Sequence, residues 1–80
     1  MKDILSYIVS SIVEKTEKME ITESEENGVL NLNIKVDPSE MGKIIGKNGK
    51  VIKSIRNIMK IPAMKENKRI YITLSENPQN

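Results

Sequence analysis

Residues 44–55 read IIGKNGKVIKSI, and the glycines at 46 and 49 interrupt what is otherwise one helical pattern of isoleucines. Met41, Ile44 and Ile45 precede them, and Val51, Ile52, Ile55, Ile58 and Met59 follow, each group at one-face helical spacing. A short helix must therefore stop at Gly46, and a second must start beside Gly49 and run to about Lys60, where Pro62 ends it. Both helices present an apolar face, so both need a core to cover it.

The flanking segments supply that core. Asp37-Pro38-Ser39-Glu40 is a helix start, with an N-cap aspartate, proline at the first helical position and glutamate placed for a capping-box exchange. Upstream, Met19 and Ile21 alternate with Glu20 and Thr22, and Leu30, Leu32, Ile34 and Val36 alternate with Asn31, Asn33 and Lys35. Period two on both sides of Asn27-Gly28 predicts a hairpin with a type I′ turn, Ile21 facing Ile34 and Met19 facing Val36. The same register puts Glu23 on the apolar face, which must then open to water near the hairpin tip. Met1 to Val13 reads as an amphipathic helix docked on the core, since its polar face carries serines and acids rather than the Lys and Arg of a membrane-surface helix. KRIYITL, residues 68–74, is a third strand. The order is helix, strand, strand, helix, turn, helix, strand: one α+β domain over residues 1–75, with a disordered polar tail at 76–80.

Composition narrows the chemistry. The 80-residue chain holds no His and no Cys, so imidazole bases, thiolates, disulfides and the usual zinc sites are excluded together. A domain this small buries only about 60% of its unfolded surface and has little room for a deep active site. Glu23, Glu25 and Glu26 read as a solvated loop rather than a metal site, because nothing spaces their carboxylates around a point. The chain is expected to be neither an enzyme nor a cofactor carrier. No segment is apolar for long enough to span a bilayer or to act as a secretory signal, so the expected location is the cytoplasm.

Net charge is only +2, but it is unevenly spread. Residues 1–40 carry four Lys against nine Asp or Glu, and residues 41–80 carry nine Lys or Arg against two Glu. Within 42–60, Lys43, Lys47, Lys50, Lys53, Arg56 and Lys60 have no acid among them, where an ordinary solvated face would mix the signs. A glycine turn that opens a helix allows close backbone approach and offers the helix-start amides to an anion, and Lys47 and Lys50 make that anion a phosphate. A Walker A loop needs four residues between its first glycine and Gly-Lys, followed by Ser or Thr; here three lie between Gly42 and Gly46, and Asn48 follows Lys47. A dinucleotide fingerprint needs a strand before the turn, and here a helix precedes it. A turn between two short amphipathic helices is instead how a KH module grips a nucleic-acid backbone.

GKIIGKNGKVIKSIR, with Asp37-Pro38 ahead of it and an amphipathic opening helix, resembles the I-G-x-x-G core of KH domains. The element order is similar to the type II arrangement, αββααβ, with a three-stranded sheet and helices on one face. The match spans nearly the whole chain and is nearest to the small bacterial single-KH RNA-binding proteins of the KhpA family. The resemblance implies that Gly46, Lys47, Asn48 and Gly49 meet the backbone of single-stranded RNA. It further implies that Ile44, Ile45 and Ile52 help form an apolar floor for bases, with the sheet and hairpin closing the other side. Lys50, Lys53, Lys43 and Arg56 would supply and extend the positive field, with Lys60 beyond them. It also implies a homodimer or a pairing with a larger KH-containing partner, in an RNA-chaperone or post-transcriptional role touching cell-envelope growth. Tyr7 and Tyr71 are the only aromatics, which suits a cleft with aliphatic walls better than a stacking platform. The rival expectation is a protein-assembly module whose opening helix or Met59–Met64 region docks a partner, the glycine turn being structural.

Overall fold

Hydrophobic alternation and the Asn27-Gly28 turn set the sheet, and everything else packs on one side of it. A computed structural model describes residues 1–76. Strands β1 (Glu20–Glu26) and β2 (Val29–Val36) pair antiparallel, with Asn27 and Gly28 at φ 53° and 78°, the positive values a type I′ turn requires. Ile21 faces Ile34, as the pattern predicts, and Glu23 faces Leu32 while remaining exposed. The ladder begins at Glu20 opposite Lys35, so the expected Met19–Val36 pair lies just beyond its end.

Strand β3 (Arg69–Glu76) joins the far side of β2 in parallel, placing Leu30 beside Ile70, Leu32 beside Ile72 and Ile34 beside Leu74. It runs two residues past the expected end at Leu74. The Ser75 hydroxyl donates to Asn33 Oδ1 at 2.8 Å and Asn33 Nδ2 donates to Thr73 Oγ1 at 2.9 Å, a polar row that ties the last turns of the strand to β2. The rest of the expected tail, residues 77–80, lies outside the described residues.

Helix α1 (Lys2–Ser10) buries Leu5 and Val9 but stops short of Val13. The Ser10 and Ser11 hydroxyls both donate to the Tyr7 carbonyl, at 3.0 and 2.9 Å, and such side-chain bonds compete with the helical ladder. Helices α2 (Met41–Ile45) and α3 (Lys50–Lys65) flank the glycines. Leu5, Val9, Leu32, Ile34, Val36, Ile44 and Met59 are fully buried in a single core, each contributing roughly 1.5–3 kcal/mol of transfer free energy. Asn31, Tyr71 and Thr73 point the other way, into solvent, so the helices cover one face of the sheet only.

Two expectations about α3 fail, for one reason. The helix does not end at Pro62 but continues to Lys65, because Ala63 lies one turn beyond Met59 on the buried stripe and continuing the helix buries it. That stripe is centred between Ile52, Ile55, Met59 and Ala63. At 100° per residue Ile58 falls about 60° to the other side of Ile55, and it is 48% exposed rather than core.

Candidate nucleic-acid interface

The approach to α2 is fixed by carboxylates. Asp37 accepts the Ser39 amide at 3.1 Å and the Ser39 hydroxyl, capping a 3-10 turn over Pro38–Glu40 that leads into α2. Lys15 and Lys18 lie 3.4 and 3.6 Å from the same carboxylate. These hydrogen bonds, the Ser39 hydroxyl first and then its amide, hold the Asp37 carboxyl down at about 2, with Lys15 assisting against partial burial.

Glu40 does not close the expected capping box. The residue is 3% exposed, and its carboxylate accepts the backbone amides of Glu14 at 2.8 Å and Lys15 at 3.0 Å, which latches the loop after α1 to the head of α2. The Glu14 amide is the main cause that lowers its pKa below the usual glutamate value, opposed by burial. Lys43 Nζ sits 3.4 Å from both Glu40 and Glu14, and its pKa is raised, chiefly by the hydrogen bond to Glu40.

The exit of α2 is built differently. Gly46 has φ 76° and ψ 174°, a region open essentially to glycine alone, and a Cβ there would lie 2.3 Å from Val51 Cγ2 and 2.8 Å from the Val51 amide nitrogen. Asn48 and Gly49 follow at φ 57° and 73°, and the Gly49 amide donates to the Gly46 carbonyl at 3.2 Å. Three of the four residues before α3 thus have positive φ. Among the described residues no side chain caps α3, whose first amide, that of Lys50, donates to the Lys47 carbonyl. Lys47, Asn48, Lys50 and Lys53 are exposed, and among the described residues none of these lysines makes an ion pair.

From this turn the polar face of α3 runs alongside β3, the open edge strand. Lys53, Arg56, Asn57 and Lys60 form one wall of a groove of about 480 Å³, and Ile70 to Thr73 form the other. Arg56 Nη2 donates to the Ile72 carbonyl at 3.1 Å, spanning the groove floor. Ile45 is 37% exposed beside the turn, whereas Ile44 and Ile52 are core residues. The structure therefore gathers Gly46 to Lys50, Lys53 and Arg56 along one track, ties Lys43 to carboxylates, and turns Ile52 inward. The second wall is β3, with the hairpin strand β1 at the opposite edge of the sheet. Asn57, Ile70, Ile72 and Thr73 escaped sequence reasoning, because only the parallel β2–β3 pairing places this edge beside α3. Among the described residues no group of three or more His, Cys, Asp or Glu gathers to hold a metal, and no helix is long and apolar enough to cross a membrane.

Comparison with known proteins adds three findings. A family model described as KhpA/KhpB, KH domain, matches residues 2–74. The RNA-binding protein KhpA of Clostridium perfringens is 38% identical over 74 residues, covering 92% of this chain and 99% of the relative. That of Aquifex aeolicus is 32% identical over 76 residues, covering 95% and 96%. Among solved structures, Era in complex with MgGDPNP and nucleotides 1506–1542 of 16S ribosomal RNA superposes with a TM-score of 0.66 at 17% identity. The match covers 98% of this chain and 30% of that one, and at this identity it speaks for the fold alone.

Proposed function

The chain belongs to the KhpA/KhpB KH-domain family, and from that premise we propose that it binds single-stranded RNA through the Gly46–Gly49 turn and the α3–β3 groove. It acts as a type II KH binding module and not as an enzyme. The observation that carries this reading is the turn itself: a backbone bared by two glycines, opening an uncapped helix, beside lysines that no carboxylate of the described residues engages. Phosphates run over Gly46 to Gly49 toward Lys50 and Lys53, and bases lie between Ile45 and the β3 edge, at about four nucleotides per KH unit. One cleft of this size binds weakly, so a second copy or a larger KH-containing partner raises affinity through effective concentration, as an RNA chaperone or post-transcriptional regulator requires.

Lys47→Asp combined with Asn48→Asp tests the site. Both positions are exposed and Asn48 already has φ 57°, which Asp tolerates, so the fold is expected to survive. Titrating a labelled single-stranded RNA at fixed salt should show at least a 30-fold loss of affinity; undiminished binding would remove the turn from the interface.

A second reading, a protein-docking surface, is favoured by one specific observation. Ile58, Ile61 and Met64 form an apolar stripe along α3 with exposures of 48, 59 and 72%. It coexists with RNA binding if self-association, measured by sedimentation, persists in the doubly substituted protein.

A further inference from the structure

Asn48-Gly49 is one of two Asn-Gly pairs in the chain, and the other, Asn27-Gly28, turns the hairpin. Asparagine before glycine is open to attack by its own backbone, because no side chain shields the glycine amide nitrogen. Resting on the RNA-binding reading, we propose that Asn48 is a site of spontaneous deamidation, that the reaction places a carboxylate in the phosphate track, and that bound RNA holds it off.

The step is internal to the chain. Gly49 N bonds to Asn48 Cγ, the Cγ–Nδ2 bond breaks, and ammonia leaves with the amide proton. Water then opens the resulting succinimide at one of its two carbonyls and gives either aspartate or isoaspartate. Asn48 is exposed, and so are Lys47 and Lys50, which flank the pair and make no ion pair among the described residues. Their charges favour the amide anion that attacks, whereas Asn27 follows Glu26, whose charge opposes it.

The native turn restrains the reaction. Asn48 sits at φ 57° and ψ 28°, where Cβ lies beside the residue's own carbonyl oxygen and Gly49 N lies on the far side. The Gly49 amide is also engaged, donating to the Gly46 carbonyl at 3.2 Å. Ring closure therefore waits for the turn to open locally and leave the left-handed region. A strand seated on Gly46 to Gly49 keeps the turn closed, so protein in use is spared and idle protein ages. Either product repels phosphate, and isoaspartate also adds a carbon to the main chain between the two glycines.

The test ages the intact protein. Fresh protein is titrated with a fluorescently labelled single-stranded RNA of uniform uridine, then held at neutral pH and physiological temperature with and without that RNA. Peptide mapping follows both Asn-Gly sites. RNA at about ten times its dissociation constant should slow conversion of Asn48 about tenfold, since only unbound protein opens, and leave Asn27 unchanged. Asn27→Asp keeps the Asp-Gly chemistry of a type I′ turn and leaves Asn48 in the single remaining Asn-Gly pair. The aged form of that variant, isolated by ion exchange and mapped to Asn48, should bind the RNA about tenfold more weakly than the unaged form. Three results each overturn the proposal while leaving RNA binding itself standing: Asn48 intact while Asn27 converts, conversion of Asn48 that bound RNA does not slow, and an aged form with full affinity. Failure of fresh protein to bind the RNA overturns the RNA reading and the proposal with it.

Discussion

Helix α2 is only five residues long, and its two ends are built on opposite principles. At its entrance every charged group is used inside the protein: Asp37 by Ser39, Lys15 and Lys18, and Glu40 by the Glu14 and Lys15 amides and by Lys43. At its exit, Gly46 to Gly49 shape the backbone, and the lysines around them pair with nothing among the described residues. A cation already neutralised by a carboxylate has little left for a phosphate. Internal charge pairing and the proposed binding turn thus lie nine residues apart, and substitutions at the two ends should separate stability from binding.

The largest effect should come from the residue that breaks the division. Gly46→Ala puts a Cβ against Val51 at a φ and ψ that only glycine tolerates, so this exit residue should behave structurally. A loss of about 3 kcal/mol or more in urea unfolding is expected, from backbone strain and overpacking combined. A loss below about 1 kcal/mol would mean that the turn relaxes, and with it the argument that glycine is required there.

Next in size is the entrance. Glu40→Gln keeps one acceptor and loses the charge, leaving a buried amide partner poorly satisfied; the melting temperature should fall by roughly 5–10 °C with RNA affinity within twofold. Acid should act on the same links. Asp37 and Glu40 both have folded pKa values depressed below their ordinary ones, so their contribution is complete above about pH 4.5 and drains away as pH falls toward 2. Thermal melts between pH 6 and pH 2.5 should show this decline, and Glu40→Gln should flatten part of it.

The smallest effect compares two lysines. Lys50→Gln should lower the log–log salt slope of RNA binding by about 0.7, one phosphate contact on a single strand. Lys43→Gln should leave that slope unchanged, because Glu14 and Glu40 hold the Lys43 charge. Equal slopes for both would show that the entrance is not closed to RNA.

Local features were readable in the chain and tertiary ones were not. The hairpin register followed from period-two alternation and Asn27-Gly28, and the interruption between α2 and α3 followed from Gly46 and Gly49, because each is set by neighbours within a few residues. The fold class followed from their order. Glu40 was misread because its partners stand 25 and 26 residues away, and a local capping box was the nearer alternative. Pro62 misled because the helix runs through it to Lys65 with Ala63 on the buried stripe, a packing that local propensity does not show. Within the candidate site, the glycine turn was legible, whereas the pairing of Lys43 with Glu14 and Glu40 and the facing wall needed tertiary contacts, the latter the parallel run of β3 beside β2 at the sheet edge.

That parallel pairing also orders events in time. Val29 meets Arg69 and Val36 meets Glu76, so closing the central ladder brings together positions 40 residues apart in the chain. The loop that closes contains α2, the glycine turn and α3 in full. Long-range pairing of this kind costs loop entropy before it is rewarded, and a pre-formed helical hairpin shortens the search. The bend proposed as the RNA site thus lies inside the loop that must close for β3 to reach β2, and chains altered at Gly46 should refold more slowly as well as less stably.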